Sequence, residues 1–148
     1  MACPAIPLDS VGWVTEAERV EVDRVMIEDL GIALIQMMEN AGRNLARAAI
    51  DLFAPSSVWV AAGSGGNGGG GMVAARHLAN AGVDVTVTTT RPGHELTGVP
   101  AHQLAILEHM NVAVGATPTS CDLTIDALVG YSLRGAPRGR TAELIDAC

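Results

Sequence analysis

Five apolar residues, Val58-Trp59-Val60-Ala61-Ala62, run directly into Gly63-Ser64-Gly65-Gly66-Asn67-Gly68-Gly69-Gly70-Gly71, and the chain leaves through Met72-Val73-Ala74-Ala75. Seven of the nine residues between the two apolar segments are glycine. A strand, a glycine-rich passage and a helix in that order bring backbone N–H groups against an anion at the helix N-terminus. Glycine suits the passage because it has no Cβ to hold a ligand or a neighbouring backbone away. A flexible Gly/Ser linker is the alternative. Linkers do not sit between two strongly apolar, periodic segments of one parallel-sheet pattern. The reading therefore makes residues 63–71 a ligand loop and starts the next helix at Met72.

The flanking sequence extends the alternation. Residues 1–14, with Pro4 and Pro7, form an irregular lead-in, and Thr15-Glu16-Ala17-Glu18 has the pattern of a capping box. Gly31 ends that first helix, and a second spans Ile32 to Phe53. Its apolar stripe is read as Leu34, Met37, Met38, Ala41, Leu45, Ala48, Ala49 and Leu52. Gly42, in mid-helix, implies close packing or a local bend. After the glycine passage, Val83–Thr88 reads as a second strand, Pro100–Met110 as a helix and Val112–Val114 as a short strand. A loop with Gly115, Pro118 and Ser120 leads to a strand at Asp122–Ile125. A second Gly-rich passage, Gly130–Gly139, precedes a helix from Thr141 to Ala147. Repeated βα units predict an α/β fold with a doubly wound parallel sheet and its ligand outside the C-terminal strand ends. In such a sheet the last helix ordinarily returns the chain to another parallel strand. The expectation is one domain, residues 15–148, lacking its C-terminal part.

Composition narrows the function. The 148 residues carry a net charge of −7, and all nine basic residues are arginine. That balance argues against a nucleic-acid surface. It also removes lysine chemistry, including the phosphate-gripping lysine of a P-loop. No run reaches the roughly 18 apolar residues of a membrane span, and the first residues lack the basic n-region of a signal peptide. Cys3, Cys121 and Cys148 form neither a metal-ligand spacing nor a disulfide framework, so a reducing cytoplasm is the default location.

Two side chains stand out as candidates. Asn67 lies inside the first glycine passage, either as a functional amide or as a residue tolerated in the left-handed region. Asp126 follows the fourth strand's apolar run, either at the ligand end of the sheet or as a turn or N-cap residue. Two oxygen donors on the ends of neighbouring strands, with backbone carbonyls nearby, suit a hard cation. Gly63 to Gly68 satisfies G-x-G-x-x-G, but the strand after it ends in Thr88-Thr89-Thr90-Arg91 without the ribose-binding carboxylate. Arg91 is placed to meet a 2′-phosphate instead. Arg134, Arg138 and Arg140 cluster in the second passage, either for a pyrophosphate or as a solvated loop. The histidines (77, 94, 102 and 109) pair with no plausible nucleophile in sequence and read as structural or surface residues.

Three ordered segments resemble the NAD(P)H-hydrate epimerases, the YjeF-type N-terminal domain. Leu34–Arg43 is similar to the family's "LMENAG" helix, and Gly63–Gly71 with Val73–Leu78 is similar to its "GPGNNGGDG-VAARHL" segment. Asp126-Ala127-Leu128-Val129-Gly130, Leu133-Arg134-Gly135 and Ala142–Ile145 resemble the "DALFGTGL-G" loop and its helix. The resemblance implies a three-layer, Rossmann-like α/β/α domain that interconverts the R and S epimers of hydrated NADH and NADPH, with potassium. It puts the potassium ligands on Asn67 and Asp126, and acid/base work at Asp126. It puts substrate contacts on Gly66, Asn67, Gly68, Gly69 and Gly70, and on Gly130, Tyr131, Ser132, Leu133, Arg134, Gly135 and Ala136. Gly66 and Gly70 stand where the commoner pattern has Asn and Asp. The family also continues into a strand and a "D-x-PSG" segment that this chain does not contain. Relatives often dimerise, and the apolar second helix is a candidate contact surface. A non-catalytic nucleotide-binding or interaction module of the same fold is the second reading. Half of an NADP-dependent dehydrogenase is a third, with no evident proton donor.

Overall fold

The computed structural model describes residues 12–115 and 120–148. Most of the irregular lead-in, with Cys3, Pro4 and Pro7, lies outside the described residues, as does Pro118. Helix α1 (Glu16–Arg24) begins with the expected capping box: the Thr15 N–H donates to Glu18 Oε2 at 2.7 Å and the Glu18 N–H to Thr15 Oγ1 at 3.3 Å. A single π turn (Val25–Asp29) follows, and Gly31, at φ +67°, redirects the chain into α2 (Leu34–Phe53). Helix α2 stops where Ala54 turns left-handed ahead of Pro55.

Four parallel strands follow the predicted pattern: β1 (Ser57–Ala62), β2 (Asp84–Thr89), β3 (Ala113–Val114) and β4 (Leu123–Ala127), in the order β3-β2-β1-β4. Helix α3 (Gly66–Asn80) connects β1 to β2, α4 (Gly98–His109) connects β2 to β3, and α5 (Arg140–Ala147) closes the described chain. Strand β1 is central and buried on both faces, which explains its unbroken apolar run. Val58, Val60 and Ala62 enter a core with Met72, Leu78, Val87, Leu104, Leu107 and Ile125, beneath α2, α3 and α4. Trp59 and Ala61 face the other way and pack with Leu128 and Leu144 of α5. The Trp59 indole N–H finds a buried acceptor in Thr88 Oγ1 at 3.0 Å, as an aromatic with a polar edge requires.

Two expectations are corrected. Residues 66–71 are not loop: the glycines form the first turns of α3, and only Gly63–Gly65 is irregular. Helix propensity argues against five glycines and an asparagine in a helix start, but packing overrides it. The second correction concerns α2. Its buried residues are Gly42, Ala46 and Ala49, whereas Leu34, Ala41, Leu45, Ala48 and Leu52 of the predicted stripe are exposed. The helix turns its smallest residues inward. A Cβ on Gly42 would lie 2.5 Å from both the Gly70 carbonyl oxygen and Val73 Cβ, so the α2 backbone at Gly42 sits directly on the Gly70 backbone and the Val73 side chain.

Candidate functional site

The sheet fixes where a ligand belongs. The chain winds from β1 outward through β2 to β3, then returns to place β4 on the opposite side of β1. The switch point is therefore between β1 and β4, and doubly wound sheets bind ligands in the crevice outside their C-terminal ends there. Strand β1 ends in the first glycine passage, and β4 ends in Asp126-Ala127 ahead of the second. Ala61 pairs with Asp126 and Ala62 with Ala127, so the two passages leave the sheet side by side.

Close backbone approach builds this junction. The Gly63 N–H donates to the Ala127 carbonyl at 3.0 Å. A Cβ on Gly63 would fall 2.0 Å from the Leu128 carbonyl oxygen, one on Gly68 would fall 1.9 Å from the Gly63 carbonyl oxygen, and one on Gly71 would fall 2.4 Å from Ala127 Cβ. Gly66 and Gly70 differ in kind: a Cβ at either meets only Met38 Sδ, at 3.9 Å. The junction demands glycine at 63, 68 and 71. Nothing in the packing excludes a larger residue at 66 or 70.

Helix α3 begins without a side-chain cap on Gly65, and Ser64 to Asn67 are exposed. The first N–H groups of this 15-residue helix therefore open toward the crevice with the positive end of its dipole. Asn67 is helical and not left-handed, which removes the alternative offered for it in sequence. Its Nδ2 donates to the Val129 carbonyl at 2.8 Å, and Gly130 lies beside it. This amide ties the α3 N-terminus to the second passage and leaves its Oδ1 as the acceptor. Asp126 is exposed between buried Ile125 and Ala127, with Oδ1 accepting the Leu128 N–H at 2.9 Å. The turn role foreseen for it is present and occupies one carboxylate oxygen. Among the described residues no group of three His, Cys, Asp or Glu side chains is arranged to hold a metal. Cys121 and Cys148 are unpaired, and burial, with Asp126 and Cys121 adding to it, pushes the Cys148 thiol up.

The second passage has partners that sequence reasoning missed. Tyr131 Oη donates to Asp23 Oδ2 at 3.0 Å, Arg19 lies 5.6 Å from the Tyr131 ring centre, and Arg134 Nη1 meets Glu16 Oε1 at 3.1 Å. Helix α1 thus holds the loop that the family resemblance assigns to substrate, and Asp23 raises the Tyr131 phenol's pKa. Arg140 pairs with Glu143 at 3.1 Å, and Arg134, Arg138 and Arg140 are all exposed. Arg91, just beyond β2, is exposed. Helical positions 16, 19 and 23 on one face were the only sequence signal of the clasp, and nothing local said what that face touches.

Comparison with known proteins agrees with this arrangement. The family described as "YjeF-related protein N-terminus" matches residues 34–148. The NAD(P)H-hydrate epimerase of Dehalogenimonas lykanthroporepellens is 48% identical over 134 residues, covering 84% of this chain and 54% of that protein. The bifunctional NAD(P)H-hydrate repair enzyme Nnr of Hyperthermus butylicus is 38% identical, covering 95% of this chain and 28% of its own length. The crystal structure of yeast ynu0, YNL200c, superposes with a TM-score of 0.83 at 25% identity, covering 93% of this chain and 64% of the yeast chain. The chain spans about half or less of these two sequence relatives. With matching motifs, a matching fold and a family match across most of its length, the chain belongs to the YjeF-related protein N-terminus family.

Proposed function

We propose that this chain is a single domain, residues 15–148, of NAD(P)H-hydrate epimerase type, acting in repair of hydrated NADH and NADPH. The observation that carries the reading is the Asn67–Val129 hydrogen bond, which joins the uncapped α3 N-terminus to the loop after Asp126 at the sheet's switch point. Backbone N–H groups of residues 66–68 bind the pyrophosphate, and the 130–136 loop orients the nicotinamide end. Asn67 Oδ1 and the second Asp126 oxygen are oxygen donors on adjacent elements, which fits a hard cation such as potassium. A cation held by Asn67 and Asp126 would supply fixed positive charge to the bound cofactor. Asp126 is the acid/base. Through the oxygen that the Leu128 N–H leaves open, and with no cation on that oxygen during the step, it protonates the hydroxyl leaving the hydrated nicotinamide carbon while the ring nitrogen's electron pair assists C–O cleavage. Water then adds to the opposite face and returns a proton to the carboxylate, giving the other epimer.

The decisive experiment incubates the R epimer with this chain, and with this chain extended by a relative's C-terminal segment, with and without potassium. Epimerisation above the uncatalysed rate supports the reading; no acceleration in either form sinks it. A non-catalytic nucleotide-binding module is the second reading, favoured by the missing side chains at Gly66 and Gly70. Calorimetric binding of ADP-ribose without turnover identifies it.

Small nucleotides are the proposed partners in preference to nucleic acid, given the −7 charge. No helix among the described residues is long and apolar enough to cross a membrane, and the proposed location is the cytoplasm. The exposed α2 face of Leu34, Leu45 and Leu52 is the proposed homodimer contact, to be tested by sedimentation.

A further inference from the structure

A second concavity lies away from the glycine passages. Helices α2 and α4 flank a cleft of about 470 Å³ whose floor is Arg76 of α3. Its walls include Ile35, Glu39 and Arg43 from α2, and Gln103 and Ile106 from α4. That volume falls in the range of small-molecule sites, and no lining residue belongs to residues 63–71 or 130–139.

Its polar atoms are out of balance. Glu39 takes Arg76 Nη2 on one oxygen and His77 Nε2, at 2.7 Å, on the other. Burial alone would raise the Glu39 carboxyl, but His77 and Arg76 outweigh it and hold it below the usual range. This carboxylate is fully committed. Among the described residues, two buried side-chain polar atoms have no partner, Arg76 Nε and Gln103 Oε1, and both residues line this one cleft. Gln103 is only 2% exposed. Buried donors and acceptors in native proteins are paired. Both atoms are covered in this conformation and are reached only by a side-chain rotation; a donor and an acceptor left over in residues of the same cleft match a group that both accepts and donates, which is a hydroxyl. Arg43, exposed in the wall, gives one N–H to Asn40 Oδ1 at 2.9 Å and has no carboxylate partner among the described residues. Its guanidinium is available for a planar or tetrahedral anion.

We propose that the α2–α4 cleft is a binding site for a small hydroxylated anion, a carboxylate or a phosphate monoester. Its hydroxyl lies between Arg76 Nε and Gln103 Oε1, its anionic group lies on Arg43, and its carbon skeleton lies against Ile35 and Ile106. The site is independent of the epimerase reading, because it shares no residue with the proposed nucleotide site.

The test titrates the 15N-labelled chain with ribose 5-phosphate, with citrate and with uncharged ribose, following the Gln103 side-chain amide and the Arg76 Nε–H. One or both anions are expected to shift these two signals at up to millimolar concentration, with ribose much weaker. Which anion binds tighter separates phosphate from carboxylate. Arg43→Ala, at an exposed position that keeps the fold, is expected to weaken binding by roughly tenfold or more. Three results overturn the proposal. One is the absence of any shift at Gln103 and Arg76 with either anion. Another is a set of shifts confined to residues 66–70 and 130–135 that survives Arg43→Ala. The third is a slowly exchanging water on the Arg76 Nε–H that no anion displaces.

Discussion

The Asn67 side-chain amide reaches from the first turn of α3 to the Val129 carbonyl, 2.8 Å away and 62 residues later in the chain. It is a side-chain bridge between the two glycine-rich passages, and it sets the spacing between the α3 N-terminus and the loop after Asp126. Asn67→Ala is expected to lower stability by about 1 kcal/mol, the usual net worth of such a bond. ADP-ribose binding should weaken by at least roughly tenfold, because the amide orders both walls of the proposed site. Asn67→Asp keeps an oxygen but removes the donor, so it should recover less stability than cation response. Chemical denaturation and calorimetry separate the two effects.

The glycines of α3 should divide sharply under substitution. Gly71→Ala drives a methyl into Ala127 Cβ and should cost about 1–3 kcal/mol as overpacking. Gly68→Ala should cost more, because the atom in the way is the Gly63 carbonyl oxygen and backbone cannot rotate aside. Gly70→Ala meets only open space beside Met38 and should stabilise by up to about 1 kcal/mol through helix propensity. Denaturant midpoints of the three variants check the order, and a destabilised Gly70→Ala would refute the packing described here.

Asp122 links the starts of β4 and β1, accepting the Ser56 N–H at 2.8 Å and the Ser57 N–H at 2.9 Å. Those bonds, Ser57's first, hold its carboxyl below the usual range against a smaller opposing effect of burial. A depressed folded-state value means that the contribution is fully present above the ordinary carboxylate range, about 3.9. It is lost as pH falls through the lower folded value. Asp122→Ala should therefore melt below the parent at neutral pH, with the gap closing as the solution is acidified below that range. A gap that stays constant from neutral to acidic pH contradicts the assignment.

Helix α1 has no buried residue, and its described polar ties to the rest of the fold run through Tyr131 and Arg134. Tyr131→Phe with Arg134→Ala should free it, and trypsin should then cut after Arg19 and Arg24 several-fold faster. Global stability should change by no more than about 1 kcal/mol, since these are exposed contacts. High salt should move the parent toward the variant by screening the Arg134–Glu16 pair. Equal cleavage rates would show that α1 is held by something else.

Glu39 should prove structural. Glu39→Gln leaves Arg76 and His77 without their shared carboxylate, and the 41% exposure of the Glu39 side chain limits the expected loss to about 1 kcal/mol. Thermal melts read the loss, and Arg76 Nε–H exchange should accelerate with it.

Local chemistry made much of this protein legible from its residues. The capping box at Thr15 and Glu18 is a four-residue device, so it reads directly from sequence and stands in the structure as expected. The unbroken apolar run of β1 announces burial on both faces, and the alternation of strand and helix leads to a parallel sheet with β1 beside β4. Those conclusions placed Asn67 and Asp126 at one end of the sheet. What the residues could not announce was anything set by long-range approach. Periodicity says that α2 has an apolar side, but the close approach of α3 at Gly70 and Val73 requires glycine at 42, and the helix buries Gly42, Ala46 and Ala49 and turns the leucines outward. The five glycines and Asn67 of residues 66–71 carry a loop's propensity, and tertiary packing against Gly63, Ala127 and α2 wound them into helix. The α1 clasp on Tyr131 and the unpaired atoms of Arg76 and Gln103 arise from residues far apart in the chain. Their meeting depends on how whole elements dock, which no short window of sequence encodes.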